Sequence, residues 1–206
     1  MRYLARAQRT SRDLIACLAL CVAASVAAAD GMEDHAAHHA MMAHPTPTST
    51  SRVSYDVPAV SLRDETGEEV DLRQLLAEGR PIALNFIFTT CTTICPVMTA
   101  TMLQFGRAVA DDPHRPVMVS ISIDPSYDSS DVLKAYAARY GAEWTFLTGS
   151  SADVLRVLRV FDAYRGSKVN HFALTLLRPS GAHEWTRVEG LTSAKELASI
   201  WQDISS

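Results

Sequence analysis

The chain has 206 residues, of which 48% are hydrophobic and 20% charged, with nine glycines, nine prolines and four cysteines. This composition excludes a disordered, collagen-like or disulfide-stapled protein and indicates one ordinary globular domain with an added segment. The formal net charge is −4, and without residues 1–29 the balance becomes 15 basic against 22 acidic residues. We therefore expect neither nucleic acid nor an anionic membrane surface as a partner.

Residues 1–29 have the pattern of a secretory signal peptide. Four arginines come first, an uncharged apolar run over residues 14–29 follows, and the run ends in three alanines. It is shorter than the roughly 18 to 20 strongly apolar residues of a membrane span, which favours cleavage over retention as an anchor. We expect an exported, periplasmic protein; retention would anchor it to the outer face of the inner membrane. Cys17 and Cys21 are interpreted as small apolar residues of this export segment.

Residues 30–51 form a polar segment without apolar periodicity, and we predict a flexible arm there. The arm holds four of the seven histidines together with three methionines: His35, His38, His39, His44, Met32, Met41 and Met42. Imidazole and thioether side chains together suit copper, so the arm is a candidate metal-binding segment. The alternative is a linker whose histidines bind nothing.

Residues 52–206 have the pattern of one α/β domain. A hairpin over 59–72 precedes a strand over 81–88, whose continuous apolar run predicts burial on both faces. A helix from about Pro96 to Ala110, a strand over 117–123, a helix over 130–140, a strand over 144–147 and a helix from Ser151 follow. The chain then changes to a hairpin of strands 171–178 and 183–188, and a last helix begins at a Ser193/Glu196 capping box.

This order of elements predicts the fold class. Alternating strands and helices require a parallel sheet with right-handed crossovers, and the last hairpin adds antiparallel strands. We therefore predict a thioredoxin-like mixed sheet flanked by helices, with an N-terminal hairpin extension.

Cys91 and Cys95 lie between the buried strand and the helix that follows it. In open α/β sheets, the carboxyl ends of the strands are where ligands bind. Pro96 is predicted to be the first helical residue, which makes Cys95 the N-cap. Free backbone N–H groups and the helix dipole at that position should lower the pKa of the Cys95 thiol.

Three interpretations of this cysteine pair remain open: a structural disulfide, a redox-active pair and a soft-metal site. A disulfide across three residues would constrain the unfolded chain little. An iron–sulfur cluster is excluded by the cysteine count, and structural zinc needs four protein ligands, whereas Cu(I) accepts fewer and prefers thiolate. A third ligand would come from a neighbouring strand end, where His171 opens a predicted strand. His114 and His183 have less support from their positions.

Residues 55–204 resemble the Sco/SenC family of copper-site assembly proteins. Four motifs carry the resemblance, in order: Cys91-Thr92-Thr93-Ile94-Cys95-Pro96, then Ser122-Ile123-Asp124-Pro125 with Asp128, Leu133 and Tyr136, then Leu147-Thr148-Gly149, then His171 followed by Pro179-Ser180-Gly181. The chain departs from the family at Thr92, where Pro is frequent, and at Asn170, where Asp is frequent.

The resemblance implies a thioredoxin-like fold and copper as the metal, delivered to the binuclear copper site of cytochrome c oxidase subunit II. The family's copper ligands carry over onto Cys91, Cys95 and His171, and Asp124 is expected to shape the wall of the site. We therefore predict an exported copper metallochaperone whose Cys91–Cys95 pair is also redox-active, with oxidation to a disulfide releasing the ion. Its partner would be subunit II or another copper-accepting protein, with a thioredoxin-like reductant for the pair.

The alternative is an enzyme that uses the same cysteines. A periplasmic thiol–disulfide oxidoreductase would keep the copper-site cysteines of a partner reduced, and His171 discriminates between the two functions. A peroxidase of the peroxiredoxin kind shares the fold, but Cys91 lacks the Pro-x-x-x-Thr-x-x-Cys surroundings expected of one.

Overall fold

The computed structural model describes residues 48–77 and 79–206. The predicted signal segment and residues 30–47 of the predicted arm, with all its histidines and methionines, lie outside the described residues. Among the described residues, no helix is long and apolar enough to span a bilayer.

The described residues form one eight-stranded sheet with helices on both faces. The strands are β1 Ser49–Ser54, β2 Ser61–Asp64, β3 Glu69–Asp71, β4 Ile82–Ile87, β5 Val117–Ser122, β6 Thr145–Thr148, β7 Leu174–Arg178 and β8 Glu184–Glu189. The α-helices are α1 Leu72–Leu75, α2 Ile94–Ala108, α3 Ser130–Tyr140, α4 Ser151–Val160 and α5 Ala194–Ser205, and a 3₁₀ turn covers Lys168–Asn170.

The strand order is β1-β8-β7-β4-β5-β6-β2-β3. β4, β5 and β6 are parallel neighbours, while every other pairing is antiparallel. The parallel centre and the antiparallel terminal hairpin were both predicted, and so was the N-terminal hairpin, which here extends the sheet beyond β6. The predicted thioredoxin-like mixed sheet is therefore confirmed.

Strand β1 is the one strand of the described sheet that the sequence pattern did not predict. It pairs with β8 over six residues, from Ser49 opposite Glu189 to Ser54 opposite Glu184. Five of its six residues are exposed, so it has no apolar alternation to reveal it. Backbone pairing to an existing edge forms this strand, and it places the start of the described chain beside β8.

The central strand β4 has all six residues buried, as its apolar run predicted. One face packs against α2 and α5, where Phe105 and Trp201 meet edge-to-face with ring centroids 6.4 Å apart. The opposite face packs with α4 through a cluster that includes Phe86 and Phe161. These two cores fix β4 from both sides, and the chain leaving β4 carries the cysteines.

Several element ends differ from the predicted ones. Helix α2 begins at Ile94, two residues before Pro96, and β7 begins at Leu174, three residues after His171.

At α5 the hydroxyl of Ser193 accepts a hydrogen bond from the Glu196 N–H, so that half of the predicted capping box forms. The Glu196 carboxylate accepts instead from the Thr192 hydroxyl, at 2.7 Å.

Candidate functional site

The turn between β4 and α2 holds both cysteines at the carboxyl edge of the sheet. The Cys91 N–H donates to the carbonyl of Phe88 at 3.2 Å, which closes the turn as the chain leaves the strand. Cys91 is half-buried, Cys95 is fully buried, and both are free thiols in the structure. The site therefore presents one accessible sulfur with a second sulfur behind it.

Cys95 does not cap the helix, contrary to the sequence-based prediction. The N-cap is Thr93, and Cys95 is the second residue within α2. Burial raises the pKa of the Cys95 thiol, and the nearby Cys91 and Asp128 add to the effect. The predicted lowering of the Cys95 pKa is wrong because the helix starts earlier and directs this side chain into the core.

Cys91 is the thiol that the helix start activates. Partial burial acts to raise its pKa, but the N–H groups of Cys95 and Thr93, the Thr93 hydroxyl and the Cys95 thiol all interact with the sulfur and lower the pKa to about 7. The Cys91 Sγ and Thr93 Oγ1 atoms are 3.6 Å apart. Cys91 is thus substantially thiolate near neutral pH, the form that attacks disulfides and binds soft metals.

A buried carboxylate supports the start of this turn. Asp128 is fully buried and accepts hydrogen bonds from the Thr89 N–H at 3.2 Å, the Thr89 hydroxyl at 2.5 Å and the Ser122 hydroxyl at 2.6 Å. These bonds join the end of β5 to the residue two places before Cys91. The sequence singled out Asp128 only as part of a motif, and Thr89 and Thr93 were not singled out for any role, because threonines in a turn carry no distinctive signal.

His171 lies just after the 3₁₀ turn and before β7, with its ring partly buried. Its Nε2 atom is 3.0 Å from the carbonyl oxygen of Phe86. A carbonyl can only accept, so Nε2 carries the proton and Nδ1 keeps a free lone pair. Nδ1 is buried and has no hydrogen-bond partner in the described structure.

Burial lowers the pKa of His171, although its hydrogen bond to Phe86 acts in the opposite direction. The imidazole is therefore neutral at pH 7, which is the form that binds metals. A neutral imidazole with a buried nitrogen that has no hydrogen-bond partner is suited to bind a soft metal ion such as copper. The chemistry of the donor set, two thiols and one imidazole, fits the same metal.

The structure places His171 beside the cysteine turn without joining all three side chains. Phe88 connects them: its ring lies edge-on to the imidazole with centroids 6.0 Å apart, and it packs in the same cluster as Cys91. Ile94 and His171 also line one cavity of about 340 Å³. Among the described residues, however, no group of three His, Cys, Asp or Glu side chains is close enough to hold an ion. Metal binding by all three would have to draw them together.

Three other residues were considered from the sequence: Asp124, His114 and His183. Asp124 follows β5, is nearly buried and forms an ion pair with Lys168. His114 and His183 are exposed on loops.

Comparison with known proteins identifies a family for most of the described domain. The family model SCO1/SenC matches residues 52–200. The SCO1 protein homolog of Bacillus subtilis (strain 168) is 35% identical over 102 residues, covering 48% of this chain and 52% of that protein. The mitochondrial SCO2 homolog of Mus musculus is 29% identical over 136 residues, covering 59% of this chain and 51% of that protein. The chain thus spans about half the length of the curated relatives it matches.

Solved structures agree with the fold. The structure of BsSco, a member of the Sco family of cytochrome c oxidase assembly proteins with an identified disulfide switch, superposes with a TM-score of 0.62 at 27% identity, covering 75% of this chain and 95% of that one. Yeast Sco1 with copper bound gives a TM-score of 0.60 at 22% identity, covering 71% and 92%. The family model extends over well beyond half of the chain, and the chain belongs to the SCO1/SenC family.

Proposed function

We propose that this protein is an exported copper metallochaperone that binds copper through Cys91, Cys95 and His171. It would deliver the ion to the copper site of cytochrome c oxidase subunit II or of another copper-accepting protein. The carrying observation is the unpartnered, buried Nδ1 of a neutral His171 beside a turn with two free thiols. Membership of the family supports copper as the cargo, because its relatives include a copper-bound Sco1. The signal-like pattern of residues 1–29 supports export.

Competition titration of the reduced, metal-free protein with Cu(I) and a chromophoric chelator tests this function. Cys91→Ser, Cys95→Ser and His171→Ala should each weaken the tightest site, on the order of 100-fold for either cysteine. His114→Ala is the matched control, since this exposed loop histidine should change nothing. Unchanged affinity in His171→Ala would remove the histidine from the site, and unchanged affinity in both cysteine variants would remove the function.

A second function, thiol–disulfide oxidoreductase, is favoured by the unequal thiols. A pKa of about 7 on half-exposed Cys91, against a raised pKa on buried Cys95, suits an attacking and a resolving thiol. The Cys91 thiolate would attack a partner's disulfide and expel one partner thiolate. Cys95 would then lose its proton, attack the Cys91 sulfur and release the second partner thiolate, so that two electrons pass to the partner.

The Cys95→Ser variant separates the two functions. An oxidoreductase lacking its resolving thiol should accumulate a mixed disulfide between Cys91 and a disulfide-bonded substrate protein, visible on a non-reducing gel. Cys91→Ser should form none and is the control. Rapid trapping together with copper affinity that is independent of His171 would favour the enzyme over the chaperone.

A further inference from the structure

Residues 162–173 form the segment that carries His171 from α4 to β7, and its two ends are fixed by buried contacts. At the start, the buried guanidinium of Arg187 donates to the carbonyls of Phe161 and Asp162 at 2.9 and 3.1 Å. At the end, the His171 ring is bonded to the Phe86 carbonyl. Between these ends, Ala163 is buried in the core and its N–H donates to the Leu158 carbonyl of α4. The part of the segment that still needs a contact with the rest of the domain is the exposed stretch 166–170.

Lys168 supplies that contact. Its ammonium group pairs with the Oδ2 atom of Asp124 and lies 5.8 Å from the centre of the Phe88 ring. The other carboxylate oxygen, Oδ1, accepts from the Ser126 hydroxyl at 2.9 Å, so Asp124 is itself held in place. One side chain therefore touches both Asp124 and the phenylalanine that precedes the cysteine turn.

The sheet topology determines where this ion pair lies relative to β4. β7 and β5 lie on opposite sides of β4, and Asp124 follows β5 whereas Lys168 precedes β7. The pair thus crosses the carboxyl end of β4, the strand that leads to Cys91. It draws the histidine-bearing segment across the same edge of the sheet that carries the cysteines.

The burial of Asp124 reduces the solvent screening of this ion pair relative to that of a fully exposed surface pair. The Asp124 side chain is 8% exposed and that of Lys168 is 44% exposed. Exposed pairs contribute little because water and salt screen them, whereas a nearly buried carboxylate is screened much less. Arg165, the other basic residue of the segment, pairs with Asp162 inside the segment and does not link it to β5.

We propose that Lys168 is a positioning residue for the metal site: its ion pair with Asp124 holds residues 162–171 over the end of β4 and so presents His171 to the cysteine turn. The proposal rests on the proposed copper function for its effect on binding. The hold on the segment itself does not depend on any metal. Pre-organisation of this kind raises affinity by reducing the freedom that binding must remove.

Amide hydrogen exchange of the metal-free protein tests the hold directly. The N–H groups of Asn170 and His171 donate to Ser167 and Lys168 within the 3₁₀ turn, so they report its opening. Lys168→Met should speed their exchange about three- to tenfold. Lys168→Arg should restore it, and Lys134→Met, on the exposed surface of α3, should leave it unchanged. Equal exchange in Lys168→Met and Lys134→Met would overturn the proposal.

A cycle with His171 tests the action on the metal site. Lys168→Met should lower Cu(I) affinity about three- to tenfold in the otherwise unchanged chain and have no further effect in a His171→Ala background. An equal loss in both backgrounds, or a gain of affinity, would overturn the positioning role. If the unsubstituted protein binds no copper, the proposed function fails, while faster exchange in Lys168→Met would still support the hold on the segment.

Discussion

Cys91 and Cys95, with three residues between them, have thiol pKa values shifted in opposite directions because α2 begins between them. Cys91 precedes α2, and its sulfur accepts hydrogen bonds from backbone N–H groups at the start of the helix. Cys95 is the second residue of α2, and its side chain is buried in the core. The dipole argument was correct for a thiol at the helix start, but it was applied to the wrong cysteine. Pro96 suits the first turn at any of its positions, so the sequence alone could not fix the starting residue.

The thiolate character of Cys91 predicts its alkylation profile. Only the thiolate reacts, so the rate of modification by iodoacetamide should rise with pH and reach half its maximum near pH 7, the pKa of Cys91. Cys95 should stay unmodified over this range because burial raises its pKa and removes access. Peptide mapping by mass spectrometry measures both sites. A midpoint near pH 9, or equal labelling of the two cysteines, would contradict the prediction.

Replacement of Thr93 by valine isolates the hydroxyl's share of this effect. Thr93→Val removes the side-chain contact to Cys91 and keeps the backbone N–H, so the pKa of Cys91 should rise and the midpoint should move up by roughly half a pH unit. Thr92→Val, at an exposed neighbouring position, is the control and should keep the original midpoint. Identical midpoints in the two variants would show that backbone groups alone lower the pKa.

At the scale of the elements, what could be predicted depended on burial. β4 leaves a continuous apolar run and was found, since all of its residues are buried. β1 was not found, because its residues are mostly exposed and backbone pairing with β8 forms it. His171 was expected to open a strand, yet β7 begins three residues later, at Leu174, and the 3₁₀ turn before His171 has no buried residue that could mark it.

In the site, the candidate ligands could be predicted from the sequence, whereas the contacts that support them could not. The residue types and their spacing identified Cys91, Cys95 and His171 as candidates, and the resemblance to the family strengthened the third. The contacts of Thr89 with Asp128 and of Lys168 with Asp124 could not be predicted, because they join residues 39 and 44 positions apart in the chain. Such pairings depend on the sheet order, which a local pattern does not contain.

Removal of the buried Asp128 carboxylate should destabilise the junction of β4 and β5. Asp128→Ala would leave the Thr89 N–H and the hydroxyls of Thr89 and Ser122 without their acceptor, so the free energy of unfolding should fall by about 2–4 kcal/mol. Asp131→Ala, on the exposed first turn of α3, is the control and should cost less than about 1 kcal/mol. Urea denaturation measures both. Similar losses in the two variants would show that the Asp128 bonds add no stability.

At the scale of the whole molecule, the chain combines an acidic domain with a polar segment, residues 30–47, that is rich in methionine thioethers and histidine imidazoles. Residues 52–200 account for the family match, so the histidines and methionines of residues 30–47 lie outside the part that defines the family. If they bind copper, this protein carries more copper per chain than the Cys91, Cys95 and His171 site provides. A tethered second site also raises the local metal concentration without any new contact.

Copper stoichiometry tests this segment. A chain in which His35, His38, His39 and His44 are alanines should bind fewer Cu(II) ions per molecule, and one in which Met32, Met41 and Met42 are leucines should bind fewer Cu(I) ions. A chain without residues 30–47 should lose both while it keeps β1, which begins at Ser49. Metal analysis after gel filtration measures the ratio, with His114→Ala as the control. Equal ratios in all of these chains would make the segment a linker, because a ligand set that binds copper cannot be removed without lowering the number of ions bound.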